Sequence, residues 1–154
     1  KLPDVQERFS NIGAEIMGAG MFGFHSFPDD PQWKGWWGDE PPFGVPAFVL
    51  THRQLESIPM QGGTIFHFLS ASPADVLEKA TAVAGDQDVR IGGGASTVRE
   101  FLRAGLVDDL HVAVVPIILG RGIRLWDDLR GIENGARVSA VAAPSGVTHI
   151  TFNR

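Results

Sequence analysis

The chain of 154 residues contains no cysteine, which excludes disulfides, thiolate nucleophiles and cysteine-ligated metals. It has no apolar run as long as a membrane span and no signal-peptide pattern at its start, so a soluble cytoplasmic protein is expected. Basic residues are not in excess: 13 Lys and Arg stand against 18 Asp and Glu, a net charge of −5. The signs are interspersed, which argues against a nucleic-acid surface or an anionic-membrane binder. His25, His52, His67, His111 and His149 show no metal-ligand spacing, so no metal centre is expected. Low-complexity tracts and internal repeats are absent as well. The first residue is Lys1 rather than Met, and further residues upstream are expected. The length suits one domain with a sound core.

What is present is concentrated in Asp88 to Leu102, which reads as a short strand, a bare turn of Gly92, Gly93 and Gly94, then a helix. Consecutive glycines let backbone amides approach a ligand with no Cβ in the way. The first N–H groups of the following helix lack intrahelical partners and carry the positive end of its dipole. Such a turn suits a phosphate or pyrophosphate; it also serves simply to join two elements. It is not a kinase-type phosphate loop, because no Gly-Lys-Ser/Thr follows it.

Around that turn the pattern alternates strands and helices. Val5, Phe9 and Ile12 predict a short amphipathic helix starting near Pro3-Asp4. Ala14 to Met17 reads as a strand stopping at Gly18, and Ala47 to Thr51 and Thr64 to Leu69 as nearly unbroken apolar strands. Continuous apolar strands suggest burial on both faces, as in a parallel sheet. Ser72-Pro73-Ala74-Asp75 has the form of a helix start, with Val76, Leu77, Ala80, Val83 and Ala84 on one face and Gly85 as the stop. Leu110 to Leu119 is expected to be the longest strand, and Arg137 to Phe152 a hairpin turning at Pro144-Ser145-Gly146. The sum is an α/β protein with one mostly parallel sheet and an antiparallel finish. Residues 28–46 form a long Pro/Gly-punctuated loop carrying Trp33, Trp36 and Trp37. These tryptophans either wall a planar ligand or pin the loop onto the core.

Ile91-Gly92-Gly93-Gly94-Ala95, the run Leu102-Arg103-Ala104-Gly105-Leu106-Val107-Asp108-Asp109-Leu110, and Pro116-Ile117-Ile118-Leu119-Gly120-Arg121-Gly122 together resemble the riboflavin-biosynthesis reductase domain. Ile16-Met17-Gly18 and Val49-Leu50-Thr51-His52-Arg53 fall at matching spacing, so the resemblance runs from about Glu15 to Phe152. It implies a dihydrofolate reductase-like three-layer α/β/α fold, NADPH as cofactor, and a homodimer. Gly93, Gly94, Ala95, Ser96 and Thr97 are then implied to cradle the cofactor pyrophosphate, with Gly92 also among the cofactor-binding positions and Ile91 near the nicotinamide. Thr51, His52 and Arg53 fall where the family holds the adenosine 2′-phosphate, and a guanidinium can grip a phosphate in a fork. Gly18 would approach the cofactor ribose, and Ala19 follows it as a further cofactor-binding position.

The chain departs from the family pattern twice. Ala19 stands where many relatives carry arginine, which weakens the expected preference for NADP over NAD. The family's opening strand, with its Ser-Leu-Asp-Gly pattern, is absent, and truncation or disorder upstream is the expected cause. On the substrate side, Asp4 follows Leu2-Pro3 as the pterin-binding acid does in dihydrofolate reductases, though a plain helix cap explains it equally. Met21 and Trp36 are the further candidates for substrate contact. Hydride transfer needs little acid–base machinery, because the cofactor brings the chemistry. The leading expectation is therefore an NADPH-dependent reductase of a pterin- or aminopyrimidine-type heterocycle. The alternatives are a non-catalytic dinucleotide-binding sensor or accessory protein, and a purely structural dimer module.

Overall fold

A computed structural model describes residues 10–154. The expected helix through Val5 and Phe9, and Asp4 with it, lie outside the described residues. Ile12 is not helical; it opens the first strand.

The elements run β1 (Ile12–Gly18), α1 (Ala19–Phe22), β2 (Pro46–Leu50), β3 (Ile58–Pro59), β4 (Ile65–Leu69), α2 (Pro73–Ala84), β5 (Asp88–Ile91), α3 (Ala95–Arg103), β6 (Asp109–Val114), β7 (Arg137–Ala142) and β8 (Thr148–Asn153). Five strands form one sheet in the order β3-β4-β2-β1-β5, parallel except for the short β3. β1 and β2 are buried through their middles, as their unbroken apolar character requires when both faces are covered. On one face Ala14, Ile16 and Phe48 pack with Val76, Ala80 and Ala84 of α2 and Phe101 of α3. On the other, Met17, Ala47, Val49 and Phe66 pack with Phe22 and Phe24, and Trp33, Trp37 and Phe43 of the long loop close over them.

α2 starts where its cap chemistry directs: the Asp75 N–H donates to Ser72 Oγ at 3.2 Å, Pro73 opens the helix, and the Gly85 N–H closes on the Thr81 carbonyl. Its buried stripe runs through Val76, Ala80 and Ala84, four residues apart. Val83 falls on the rim of that stripe and is 52% exposed, contrary to the sequence expectation.

The strand expected over Leu110–Leu119 is shorter, ending at Val114. Pro116 has no N–H to continue a ladder, and the Ile117 N–H folds back onto the Val115 carbonyl at 2.8 Å. The C-terminal hairpin forms as expected, turning where the Gly146 N–H donates to the Ala143 carbonyl. Its strands join β6 in a second, antiparallel sheet of order β6-β8-β7. The mostly parallel sheet and the antiparallel finish are thus both present; among the described residues no strand pairs with the far edge of β5 or of β6, so the two sheets are separate ladders.

The order of the parallel strands positions the site. From β1 the chain moves outward to β2 and β4, then crosses back over α2 to β5 on the other side of β1. Ligands of open α/β sheets bind at such a reversal, in the crevice beyond the carboxyl ends of the strands.

Candidate functional site

The glycine turn is stitched to the end of β1. The Gly92 N–H donates to the Ile16 carbonyl and the Gly18 N–H to the Gly93 carbonyl, both at 2.9 Å. Ile91 ends β5 opposite Ile16. The Gly93–Gly94 peptide bond is cis, and Gly93 has φ 124°, a region that favours glycine. Gly94 then takes the N-cap position of α3 with no side chain capping it, and the helix proceeds through Ala95, Ser96 and Thr97. Thr97 is buried, and its Oγ1 lies against Gly18 so closely that a Cβ there would overlap it. Gly18 is thus glycine because α3 packs onto the end of β1.

The three glycines differ in what they face. A Cβ on Gly92 would strike the Glu15 carboxylate, so this glycine accommodates the protein's own side chain. A Cβ on Gly93 would meet only Met21 Sδ, at 3.7 Å, and one on Gly94 nothing within 4 Å. The outer side of Gly93–Gly94 is therefore open, in front of the uncapped amides of α3, which leaves room for an anion beside donors at the positive end of the helix.

The second group stands at the end of β2. Thr51 donates its N–H to the Leu69 carbonyl at 2.9 Å, and the Arg53 N–H bonds Thr51 Oγ1 at 3.2 Å. His52 Nδ1 lies 3.1 Å from Ser70 Oγ. The Arg53 guanidinium sits over the Phe24 ring, 4.6 Å from its centroid, an attraction between cation and ring face. Phe24 in turn bonds through its N–H to the carbonyl of Ala19, the first residue of α1. Gly18 lies opposite Leu50 in register, so the turn, Ala19 and Arg53 share one edge of the sheet.

Of the substrate candidates, Met21 borders the turn, whereas Trp36 stands farther out. Trp33 is anchored by its Nε1–H to the Phe22 carbonyl at 2.8 Å and stacks on Phe27; Trp37 packs on Phe43 and Phe66. Those two pin the loop to the core. Trp36 meets Phe27 and Trp33 edge-on and stays 53% exposed.

Sequence reading does not single out Glu15. It is 1% exposed in mid-β1, beside Arg90 on β5, with Arg90 Nε 3.5 Å from its Oε1. Burial pushes its carboxyl up to about 7, against the opposing pull of Arg90. The signal was available: opposite charges interrupt two apolar strands, Ala14-Glu15-Ile16 and Val89-Arg90-Ile91, that flank the same turn.

A mostly parallel sheet with helices α2 and α3 on one face, and a glycine turn leading into α3 at its carboxyl edge, make this a mixed α/β protein with a dihydrofolate reductase-like fold. The chain belongs to the RibD C-terminal domain family, whose pattern matches residues 2–142. Among curated relatives, the uncharacterized protein YyaP of Bacillus subtilis (strain 168) is 33% identical over 67 residues, covering 44% of this chain and 36% of that protein. The chain thus aligns with about a third of that relative. Solved structures share the fold: a Shewanella sp. PV-4 protein assigned to riboflavin biosynthesis has TM-score 0.67 at 21% identity, covering 97% of this chain and 78% of that one. A pyrimidine reductase-like protein from Corynebacterium diphtheriae gives 0.54 at 13% identity, over 99% and 81%. RibD of Acinetobacter baumannii gives 0.59 at 17%, over 97% of this chain but 49% of that protein. Among the described residues no helix is long and apolar enough to cross a membrane.

Proposed function

We propose that this protein is an NADPH-dependent oxidoreductase that reduces a small heterocycle of pterin or aminopyrimidine type. The observation that carries the reading is the open face of Gly93–Gly94, in front of α3, on the same sheet edge as Arg53. Gly93, Gly94, Ala95, Ser96 and Thr97 hold the diphosphate through backbone amides, and Arg53 meets the 2′-phosphate with a guanidinium that stands over Phe24. The bound cofactor supplies the hydride; the chain supplies orientation and electrostatics. Ile91 and Met21 flank the turn on the side where the reacting ring lies. The cytoplasm is the proposed compartment.

The test is NADPH binding, followed by NADPH oxidation against a panel of pterins and ribosylaminopyrimidines. Oxidation with at least one of them is expected. Binding without turnover across the panel favours the second reading, a dinucleotide-binding sensor, which Ala19 supports by removing a cation from the 2′-phosphate corner. Absence of a thermal shift with any dinucleotide contradicts both, because a ligand of the folded state raises its melting temperature.

The proposal includes a homodimer. Ile117, Ile118, Leu119 and Ile123 are 64–98% exposed in the segment after β6, and Val138 and Val141 of β7 are 49% and 44% exposed. These exposed apolar side chains are where we place the contact with a second copy.

A further inference from the structure

Glu15 is the one charged side chain buried among the described residues. Its Oε1 occupies the space where Gly92 would carry a side chain, and Arg90 holds it through Nε while placing Nη2 3.7 Å from that same point. The Gly92 N–H is tied to the carbonyl of Ile16, the residue next to Glu15. The first residue of the turn is thus bonded to β1 through its backbone, with the Glu15 carboxyl packed beside its α-carbon.

An apolar side chain would fill this space without a charge in it. A buried acid is costly unless paired, and among the described residues its ion-pair partner is the partly exposed Arg90. Among the described residues, Arg90 is the charged group paired with Glu15: β1 has no other charge, its β2 neighbour is Ala47, α1 and the turn carry none, and β5 adds Asp88, exposed two residues before Arg90 on the same face. We propose that Glu15 is the positioning residue of the glycine turn: its carboxyl fixes Gly92 so that Gly93 and Gly94 present their open side, and its ionisation loosens the turn's hold on a dinucleotide. The inference rests on the NADPH reading above. A carboxylate beneath the turn repels a diphosphate placed on it, whereas the neutral acid fills the same space without that repulsion. Burial raises the carboxyl to about 7, so both forms are populated near neutrality.

The test is the NADPH dissociation constant of the wild type and of Glu15→Gln from about pH 6 to about pH 8. Effects of pH common to both proteins cancel in the ratio of the two profiles, which isolates Glu15. Wild-type affinity is expected to fall about threefold or more relative to the variant as pH rises. Superimposable profiles overturn the inference and leave the NADPH reading standing; no wild-type binding at any pH overturns both. A second measurement does not depend on the folding of Glu15→Gln. Gly92→Ala is expected to lose NADPH affinity about tenfold through collision with the carboxylate, and adding Glu15→Ala to recover most of it. Equal losses in the single and double variants overturn the positioning role.

Discussion

The Gly18 amide donates to the Gly93 carbonyl at 2.9 Å, while Thr97 Oγ1 fills the space beside the Gly18 α-carbon. The end of β1 and the start of α3 are thereby one rigid unit with the glycine turn between them. Gly18→Ala forces Thr97 aside and is expected to destabilise the fold by about 1–3 kcal/mol. Urea unfolding measures this; unchanged stability would mean that the helix yields freely.

Arg53 stands over Phe24 rather than loose in solvent, so its guanidinium is partly ordered before any ligand arrives. Arg53→Ala should weaken NADPH by about 1–3 kcal/mol more than NADH. Titration with the two cofactors reads the difference directly. Equal losses would remove Arg53 from cofactor selection. Arg53→Lys keeps the charge but loses the planar fork, and is expected to fall between wild type and alanine.

Glu15 makes stability depend on pH. Burial raises its carboxyl from the ordinary 4.5 to about 7, so the folded state retains a proton that the unfolded chain releases. Stability is therefore full below the lower value and declines as pH rises toward the upper one, by up to about 3 kcal/mol. Glu15→Gln carries no proton to lose. Denaturant unfolding across this range should show a steeper decline for the wild type than for the variant; parallel curves would contradict the burial argument.

Ile118, 98% exposed, tests the proposed dimer. Ile118→Asp is expected to shift sedimentation toward the monomer while leaving the melting temperature of the dissociated chain unchanged. A wild type that sediments as a monomer removes the dimer from the account.

Local chemistry made the central features legible. Ser72 and Pro73 mark the start of α2, Gly85 its end, and Gly92 to Thr97 the strand–helix turn, because caps and glycines act over a few residues. What depended on distant partners was less visible. Leu110 to Leu119 looks like one apolar strand, but pairing with β8 ends at Val114 and Pro116 stops the ladder. The break between β5 and β6 concerns which strands find neighbours, and no local pattern encodes it. Gly92 reads like its two neighbours in sequence; only the side chain of Glu15, arriving from another strand, distinguishes it. The tryptophans likewise separate only in three dimensions, Trp33 and Trp37 packing inward and Trp36 standing outward.

The most direct test is Gly94→Val. Gly94 has φ −74° and nothing within 4 Å of its missing side chain, so the protein should accept valine with little change in melting temperature. The same side chain would project into the space assigned to the diphosphate, and NADPH affinity should fall at least about tenfold. A folded Gly94→Val protein that binds NADPH as tightly as the wild type would contradict the placement of the cofactor on this turn.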